Sequence, residues 1–404
     1  MTDFNAADFR QCFPALSQGQ CYLDSAATAL KPQAVIDATV NFYSQDGATV
    51  HRSQHHAAQT LTQEYEQARA LAAEWINAPR PADIIWTRGT TESINLVAQS
   101  YLRPKLQAGD EIIVSQAEHH ANLIPWLMLA NQCHAHVITL PADKLGLPDI
   151  NALPALLNAR TRLLAVTQMS TGPGAMPDLA RAIALAPANG TPVLVDGAQG
   201  VVHSPPDVRQ LDVDFYAFSG HKLYGPTGIG VLYGKSELLD SMDPWHGGGK
   251  MLTRASMSDF TPQAVPHRFE AGTPNIAGVI GMAAALKWLK TVDLPAAERY
   301  AQNLASLAEE QLSQLNGFRS FRTQNASLLA FDIAGVHHSD LVTLLAEQGI
   351  ALRAGQHCAQ PLMAALGISG TLRASFAPYN NEQDVTRLTA AVKYALSLLA
   401  DEFI

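Results

Sequence analysis

Apolar and polar positions follow one pattern between residues 83 and 234 and a different one after residue 275. In the first stretch, short runs rich in β-branched and aromatic residues indicate buried strands, and amphipathic segments between them indicate helices. The predicted strands are 84–86, 111–115, 136–140, 162–167, 192–195, 215–218 and 230–233. The predicted helices are 92–101, 121–132 and 178–186. This alternation is typical of an α/β domain with a mostly parallel sheet and helices on both faces.

The strands 192–195, 215–218 and 230–233 follow one another without long helices between them. We therefore expect this part of the sheet to depart from the regular strand–helix–strand pattern. After residue 275 long helical patterns surround a few strands, which favours a smaller α+β domain. Its predicted helices are 276–290, 296–315, 339–348 and 382–399. Its predicted strands are 327–333, 351–353 and 372–376. We predict a large domain over 21–290 and a small domain formed by 1–20 together with 291–404.

Composition and charge narrow the functional classes. The chain has 404 residues, of which 47% are hydrophobic and 16% charged, enough for large packed cores and more than one domain. The net charge of −9 and the absence of a basic run argue against nucleic acid as a partner. We expect no secretory signal and no membrane span, because the start lacks a basic, then apolar, segment and apolar runs are short. The four scattered cysteines favour a reducing cytoplasm over a disulfide framework.

A carboxylate and a lysine follow two of the predicted strands. Asp196 comes directly after the strand 192–195, and Lys222 lies four residues beyond the strand 215–218. Open α/β folds place their chemistry at such strand ends. A cofactor with an aldehyde for the lysine and a basic ring nitrogen for the aspartate fits this pair, and pyridoxal phosphate has both. A solvated loop lysine would explain Lys222 alone, but not its occurrence together with Asp196, Gln199 and His221.

Small residues after the first strand indicate an anion site. Gly89, Thr90 and Thr91 follow the strand 84–86 and open a helix, whose positive end suits a phosphate. Ser219 and His221 could supply further donors from the opposite side. An ordinary threonine helix cap explains the first segment equally well. The glycine-rich segment 225–230 precedes a strand rather than a helix, so it does not indicate dinucleotide binding.

Histidines after another strand could serve the same cofactor. His119 follows the strand 111–115 and can stack on a flat ring and move protons. A metal ligand and a solvated loop residue are the alternatives. His51, His55 and His56 form a small group, but no zinc-binding spacing supports them, so we expect no metal.

The second domain offers a nucleophile and a carboxylate ligand. Cys358 stands beside His357 and near Arg353, and positively charged neighbours lower a thiol's pKa. A small buried hydrophobe is the usual role of a free cysteine, but this loop is polar and contains Gly355. Arg373 suits a substrate α-carboxylate, with a structural salt bridge as the alternative.

Taken together, these segments resemble the pyridoxal-phosphate-dependent cysteine desulfurases. The similarity is to their group II branch, and most closely to cysteine sulfinate desulfinases. It covers essentially the whole chain, and the segments that carry it are 22–28, 88–92, 196–199, 219–228, 270–275 and 353–359. The motifs are specific in combination, although single ones recur in other class V aminotransferase-like enzymes. The resemblance implies the pyridoxal-phosphate-dependent transferase fold of type I, similar to aspartate aminotransferase.

The resemblance also implies residue roles. Lys222 would hold the cofactor covalently, Asp196 would pair with its ring nitrogen, and Cys358 would receive the sulfur. The other implied cofactor contacts are Thr90, Thr91, His119, Gln199, Ser219 and His221, with Thr273, and His51 or Arg52, reaching across a homodimer interface. The implied substrate contacts are Arg373, Arg353, His120 and Thr171.

One position departs from the family. Where Thr171 stands, the family usually has an asparagine that contacts the cofactor ring or the substrate. Threonine is shorter and offers one hydroxyl instead of an amide, so activity could be retuned there or a water could bridge the gap.

The implied activity removes sulfur from L-cysteine, sulfinate from cysteine sulfinate or selenium from selenocysteine. It gives alanine and, from cysteine, a persulfide on Cys358 that passes to an acceptor protein of the SufE or CsdE type for iron–sulfur cluster assembly. Two alternatives stay open. One is another class V enzyme, such as an aminotransferase or a kynureninase-like hydrolase; the other is a non-catalytic sulfur-trafficking scaffold.

Overall fold

A seven-stranded sheet organises the larger part of this computed structural model, which describes residues 4–186 and 190–401. The strands are β1 (Cys21–Tyr22), β2 (Ile84–Thr87), β3 (Glu111–Ser115), β4 (His136–Leu140), β5 (Thr161–Thr167), β6 (Val193–Asp196), β7 (Phe215–Ser219), β8 (Gly230–Gly234), β9 (Leu252–Ala255), β10 (Phe260–Pro262), β11 (Phe318–Ser320), β12 (Leu328–Ile333), β13 (Ile350–Ala351), β14 (Arg353–Gly355) and β15 (Thr371–Ser375).

The helices are α1 (Ala6–Gln11), α2 (Gln33–Asn41), α3 (His56–Trp75), α4 (Thr90–Leu96), α5 (Ile124–Cys133), α6 (Leu153–Leu156), α7 (Leu179–Leu185), α8 (Gly200–His203), α9 (Val208–Leu211), α10 (Ser236–Asp240), α11 (Ile276–Leu289), α12 (Leu294–Leu312), α13 (His338–Glu347), α14 (Gln360–Ala365) and α15 (Glu382–Asp401). Two π-helical turns lie at Phe42–Asp46 and Val97–Leu102. Single 3₁₀ turns include His120–Asn122 and Gly220–Lys222.

The large sheet has the order β2-β8-β7-β6-β5-β3-β4. Strands β3 to β7 are all parallel, whereas β8 is antiparallel to both β2 and β7. The prediction of a mostly parallel sheet is therefore confirmed. No long helix separates β7 from β8. Two consecutive strands can pair in parallel only when a crossover segment, usually a helix, joins them, so β8 runs antiparallel to β7.

Helices cover both faces of this sheet, as the alternation of strands and helices predicts. Ile112 and Val114 of β3 face a core shared with α4 and α5, whereas Ile113 faces a second core shared with α3 and α11. Successive side chains of a strand point to opposite faces, so a strand buried on both sides is apolar throughout. This explains why the strand at 111–115 could be predicted residue for residue. The strand at 136–140 was also predicted with its full bounds, although its residues His136 and Thr139 are exposed.

The smaller core is built on an antiparallel sheet of order β11-β12-β15-β14, packed against α12, α13 and α15. Strand β1 pairs in parallel with β13, and both Cys21 and Leu23 are buried in this smaller core. Residues 21–23, which the prediction assigns to the large domain, therefore pack in this smaller core, because the β1–β13 pairing joins positions far apart in sequence. Within the predicted domain ranges, residues 1–3, 187–189 and 402–404 lie outside the described part.

The N-terminal segment contacts both cores. Phe13 packs against Trp288 and Tyr379 of the larger core, and Arg10 pairs at 3.3 Å with Asp384 of α15, which packs on the smaller core. The domain division itself stays a prediction. Among the described helices, none combines the length and the apolar character needed to cross a bilayer.

Candidate active site

A cavity of about 180 Å³ lies at the carboxyl ends of the parallel strands, between them and the antiparallel sheet. Twelve of the predicted site residues line it: Thr90, Thr91, His119, Thr171, Asp196, Gln199, Ser219, His221, Lys222, Arg353, Cys358 and Arg373. The parallel strands bring the sequence-distant residues to one edge. Arg353 and Arg373 come from the paired strands β14 and β15 and reach the cavity from the antiparallel sheet.

Lys222 and Asp196 form the chemical centre of the cavity. Burial, and then the positive charge of Arg373, lowers the pKa of Lys222 to about 8, although Asp196 opposes the change. Burial also raises the pKa of Asp196, and the N–H of Ala198 donates a hydrogen bond to its Oδ1 at 2.9 Å. Among the described residues, none accepts a hydrogen bond from Lys222 Nζ. A buried amine of low pKa next to a buried carboxylate is typical of a reactive site.

His221, the residue before Lys222, is held in place through its backbone carbonyl. It accepts hydrogen bonds from Ala29 N at 3.0 Å, Thr28 Oγ1 at 3.2 Å and Lys31 Nζ at 2.9 Å. Three donors on one carbonyl fix the 3₁₀ turn that carries the reactive lysine. The sequence offered no signal for this role of Lys31, because its partner lies about two hundred residues away.

The predicted phosphate corner is assembled from two strand ends. The hydroxyl of Ser219, at the end of β7, accepts from Thr90 N at 2.8 Å and lies 2.7 Å from Thr90 Oγ1. Gly230 permits this arrangement, because a Cβ at that position would lie 2.4 Å from the Cα of Gly89. The start of α4 therefore rests against β8 with its first N–H groups at the cavity.

His119 has a defined tautomer. Its Nδ1 accepts from Ala121 N at 3.0 Å, so the proton lies on Nε2. Burial, followed by the charge of Lys222, lowers its pKa to about 4, and the ring is neutral at pH 7. A neutral flat ring beside the lysine suits stacking on an aromatic cofactor and donation from Nε2.

Arg373 is prepared for an anion. It is 2% exposed, its Nη1 donates to Thr171 O at 2.7 Å, and its Nε and Nη2 are buried without a hydrogen-bond partner. Asp24 Oδ1 lies 3.6 Å from Arg373 Nη2 and also 3.6 Å from Arg353 Nε, too far to satisfy either. A carboxylate that accepted from the two free N–H groups would remove the penalty of these buried, unpaired donors.

Cys358 is exposed at the rim in an unusual backbone conformation. His357 and Cys358 have φ angles of 52° and 54°, so two consecutive non-glycine residues are left-handed. Such residues are strained and persist only where the surroundings hold them. The carbonyl of Cys358 accepts from His120 N at 2.7 Å, and His357 Nε2 lies 2.7 Å from Thr371 Oγ1.

The expectation that His357 supplies a positive charge beside Cys358 is wrong. Burial, and then the charges of Arg373 and Arg353, lowers the pKa of His357 to about 3, so its ring is neutral at physiological pH. Sequence proximity could not reveal this, because the burial and the two arginines come from the folded arrangement.

Two predicted residues do not line the cavity. His120 contacts the Cys358 loop instead: its Nε2 accepts from Gln360 N at 3.4 Å. Its predicted contact with the substrate stays a prediction. Thr273 is exposed and borders a separate groove with Arg88 and Glu92. Its predicted contact with the cofactor therefore cannot form within one chain.

Within residues 4–186 and 190–401, one group of three potential metal ligands lies outside this cavity: His51, Glu66 and His267. Glu66 already accepts from Arg69 Nε at 2.8 Å and lies 2.8 Å from His51 Nε2. Two buried cations, Arg69 and Lys250, lie in the same cluster. Both cations also face the buried carboxylate of Glu270, so their charges are balanced, and the Glu66 oxygens are already bound by Arg69 and His51.

The residues present fit pyridoxal phosphate. The cavity offers an amine of low pKa, a buried carboxylate, a neutral imidazole and a helix start with hydroxyls, which match an aldehyde, a ring nitrogen, a flat ring and a phosphate respectively. The two unpaired N–H groups of Arg373 remain for a second, substrate-borne anion.

Comparison with known proteins agrees with this geometry. Residues 21–388 match the family model described as aminotransferase class-V. The chain is 63% identical to cysteine desulfurase CsdA of Escherichia coli, covering 99% of this chain and all of the relative. It is 49% identical to a probable cysteine desulfurase of Vibrio cholerae, covering 98% of this chain and 99% of the relative.

Solved structures of cysteine desulfurases also superpose closely on this chain. The crystal structure of E. coli CsdA in an S-sulfonic acid form superposes with a TM-score of 0.94, covering 98% of this chain and 99% of that one. The apo structure of a cysteine desulfurase from Thermococcus onnurineus, 34% identical, gives 0.91 and covers 96% of this chain and 97% of that one. The fold is that of the type I pyridoxal-phosphate-dependent enzymes, as expected. The chain belongs to the aminotransferase class-V family and, within it, to the cysteine desulfurases.

Proposed function

We infer that the chain is a pyridoxal-phosphate-dependent cysteine desulfurase that acts on cysteine-type substrates. The observation that carries this inference is the convergence of Lys222, Asp196, Arg373 and Cys358 on one cavity. A lysine and a carboxylate alone would serve many reactions of this cofactor. A thiol at the rim, opposite an arginine prepared for a carboxylate, is specific to chemistry on a substrate's sulfur.

Lys222 would hold the cofactor, with Asp196 at its ring nitrogen, His119 on its ring, and Thr90, Thr91, Ser219 and His221 at its phosphate. When bound, pyridoxal phosphate supplies an aldehyde that condenses with amines and a ring that withdraws electrons from the substrate's α-carbon. The Asp196 carboxylate favours a protonated ring nitrogen, which strengthens that withdrawal.

The chain's own groups then orient the substrate and move its protons. Arg373 binds the α-carboxylate and fixes the position of the α-carbon. Lys222, once its amine is free, takes the α-proton, since a pKa of about 8 leaves a useful neutral fraction near physiological pH. The neutral His119 can donate from Nε2 but carries no charge that would compete with Asp196.

Cys358 performs the sulfur transfer. Its thiolate attacks the substrate sulfur, so that a sulfur–sulfur bond forms on Cys358 as the bond between Cβ and sulfur breaks. Alanine is the other product. The exposed position of Cys358 leaves its sulfur accessible to a second molecule.

Further features of the function follow from this position and from the resemblance. Cysteine sulfinate and selenocysteine are further substrates, because their leaving groups need no thiol attack. The persulfide passes to an acceptor protein of the SufE or CsdE type in the cytoplasm, for iron–sulfur cluster assembly. The active unit is a homodimer in which Thr273 reaches the partner's phosphate site; the exposure of Thr273 outside its own cavity supports this.

Borohydride reduction of the purified protein, followed by peptide mass spectrometry, tests the inference. The cofactor is expected on Lys222, and cysteine is expected to yield alanine. Lys222→Ala should lose both the cofactor absorbance and the alanine, whereas Lys287→Ala, at an exposed position of α11, should lose neither. A colourless protein that traps no adduct after reconstitution would contradict the inference. An aminotransferase or hydrolase would instead keep full activity in Cys358→Ala.

A further inference from the structure

We propose that Thr171 is a positioning residue for Cys358: its hydroxyl ties the carbonyl before the nucleophile to the large domain and holds the thiol at the substrate's sulfur. The proposal rests on the proposed function and concerns the position at which this chain departs from the family's asparagine.

The hydroxyl of Thr171 contacts the cysteine loop directly. Thr171 is 6% exposed, and its Oγ1 lies 3.1 Å from the carbonyl oxygen of His357. A carbonyl only accepts hydrogen bonds, so the hydroxyl is the donor. Among the described residues, no other group donates to this carbonyl.

The loop needs such a tether. The left-handed conformation of both His357 and Cys358 costs free energy at each residue. Four hydrogen bonds resist relaxation of this pair: the turn-closing bond from Ala359 N to Gln356 O, and those of the Thr171 hydroxyl, the His120 N–H and the Thr371 hydroxyl. Only the bond from Thr171 reaches the carbonyl that immediately precedes the nucleophile.

Thr171 also contacts the carboxylate ligand. Its backbone carbonyl accepts from Arg373 Nη1 at 2.7 Å. One residue therefore sets both the guanidinium that orients the substrate and the loop that carries the thiol. The distance between the Arg373 guanidinium and the Cys358 loop decides whether the substrate sulfur meets the thiol. A small error in this distance lowers the rate strongly.

The two hydrogen bonds can be separated by mutation. Thr171→Val keeps the shape of the side chain and the backbone bond to Arg373 but removes the bond to the loop. The kcat for cysteine is expected to fall roughly three- to tenfold, the range that one hydrogen bond represents, while KM stays within about twofold. Turnover of cysteine sulfinate should stay within about twofold, because release of its sulfinate needs no thiol. Thr171→Ser keeps a hydroxyl and should restore cysteine turnover.

Hydrogen exchange gives a readout that is independent of catalysis. Ala359 N–H bonds to Gln356 O at 2.9 Å inside the loop, so its exchange reports loop opening. In the cofactor-loaded protein, Thr171→Val should speed exchange in this segment several-fold. The matched control is Thr191→Val, at a buried threonine whose hydroxyl bonds to Thr161 O at 3.3 Å, outside the active site. It should change neither measurement.

Two results would overturn the proposal: unchanged exchange and kcat in Thr171→Val, or equal losses with cysteine and cysteine sulfinate, which would indicate general damage. If the unmodified protein made no alanine from cysteine, the proposed function would fail. The exchange comparison would still decide whether Thr171 holds the loop.

Discussion

Cofactor capture by Lys222 is expected to depend on pH differently from that of an ordinary lysine. Burial and the charge of Arg373 lower the pKa of Lys222 from 10.5 to about 8. A difference of this size corresponds to roughly 3 kcal/mol between the charged and neutral forms. At pH 7 about a tenth of the amine is neutral, compared with about one part in three thousand for a free lysine. Only the neutral amine can attack an aldehyde, so this fraction sets the capture rate.

The assay follows cofactor-free protein as it recaptures pyridoxal phosphate, by absorbance after rapid mixing at a series of pH values. Below about pH 8 the rate should rise roughly tenfold per pH unit, and above it the rate should level off. Arg373→Gln removes a positive charge that destabilises the charged amine, so the midpoint should move to higher pH.

Arg319→Gln is the matched control, because Arg319 is exposed and pairs with Asp332 in the antiparallel sheet. Its midpoint should equal that of the unmodified protein. A rate that keeps rising to the pKa of a free lysine would refute the reasoning about burial. An Arg373→Gln midpoint that stays in place or moves down would refute the role given to the arginine.

Two further substitutions test the anion sites. Arg373→Lys keeps the charge but loses the paired N–H groups, so kcat/KM for cysteine should fall about ten- to a hundredfold, mainly through KM, in steady-state kinetics. Gly230→Ala places a Cβ against Gly89, so the stability should fall by about 1–3 kcal/mol and pyridoxal phosphate should bind more weakly in equilibrium dialysis. Gly247→Ala, where a Cβ meets nothing within 4 Å, should change neither; unchanged values in the first two variants would contradict these roles.

Local patterns predicted the strands of the large sheet well, because most of them are buried on both faces and consist largely of apolar residues; the edge strand β4, with His136 and Thr139 exposed, is the exception. They failed where pairing is long-range. The single strand predicted over 351–353 is two strands: Ile350–Ala351 pairs with Cys21–Tyr22, and Arg353–Gly355 pairs with Thr371–Ser375. Leu352 separates these two strands. Nothing in the local sequence shows that the residues before and after it pair with different strands.

Some residues of the active site could likewise be predicted from local sequence, and others could not. Lys222, Asp196 and Ser219 could be predicted, since each is a polar residue at or just beyond the end of a buried strand. The support around them could not, because it depends on distant contacts. Asp24 reaches toward both cavity arginines from the start of the chain, and Lys31 fixes the turn before the reactive lysine.

Transfer of sulfur to Cys358 is the central claim, and one measurement tests it most directly. The cofactor-loaded protein is mixed with cysteine without reductant, digested with trypsin and analysed by mass spectrometry. We expect the peptide covering residues 354–373 to gain the mass of one sulfur atom, and to gain none in Lys222→Ala. Alanine formed while this peptide stays unmodified, or added sulfur found instead on Cys12, Cys21 or Cys133, would contradict the account.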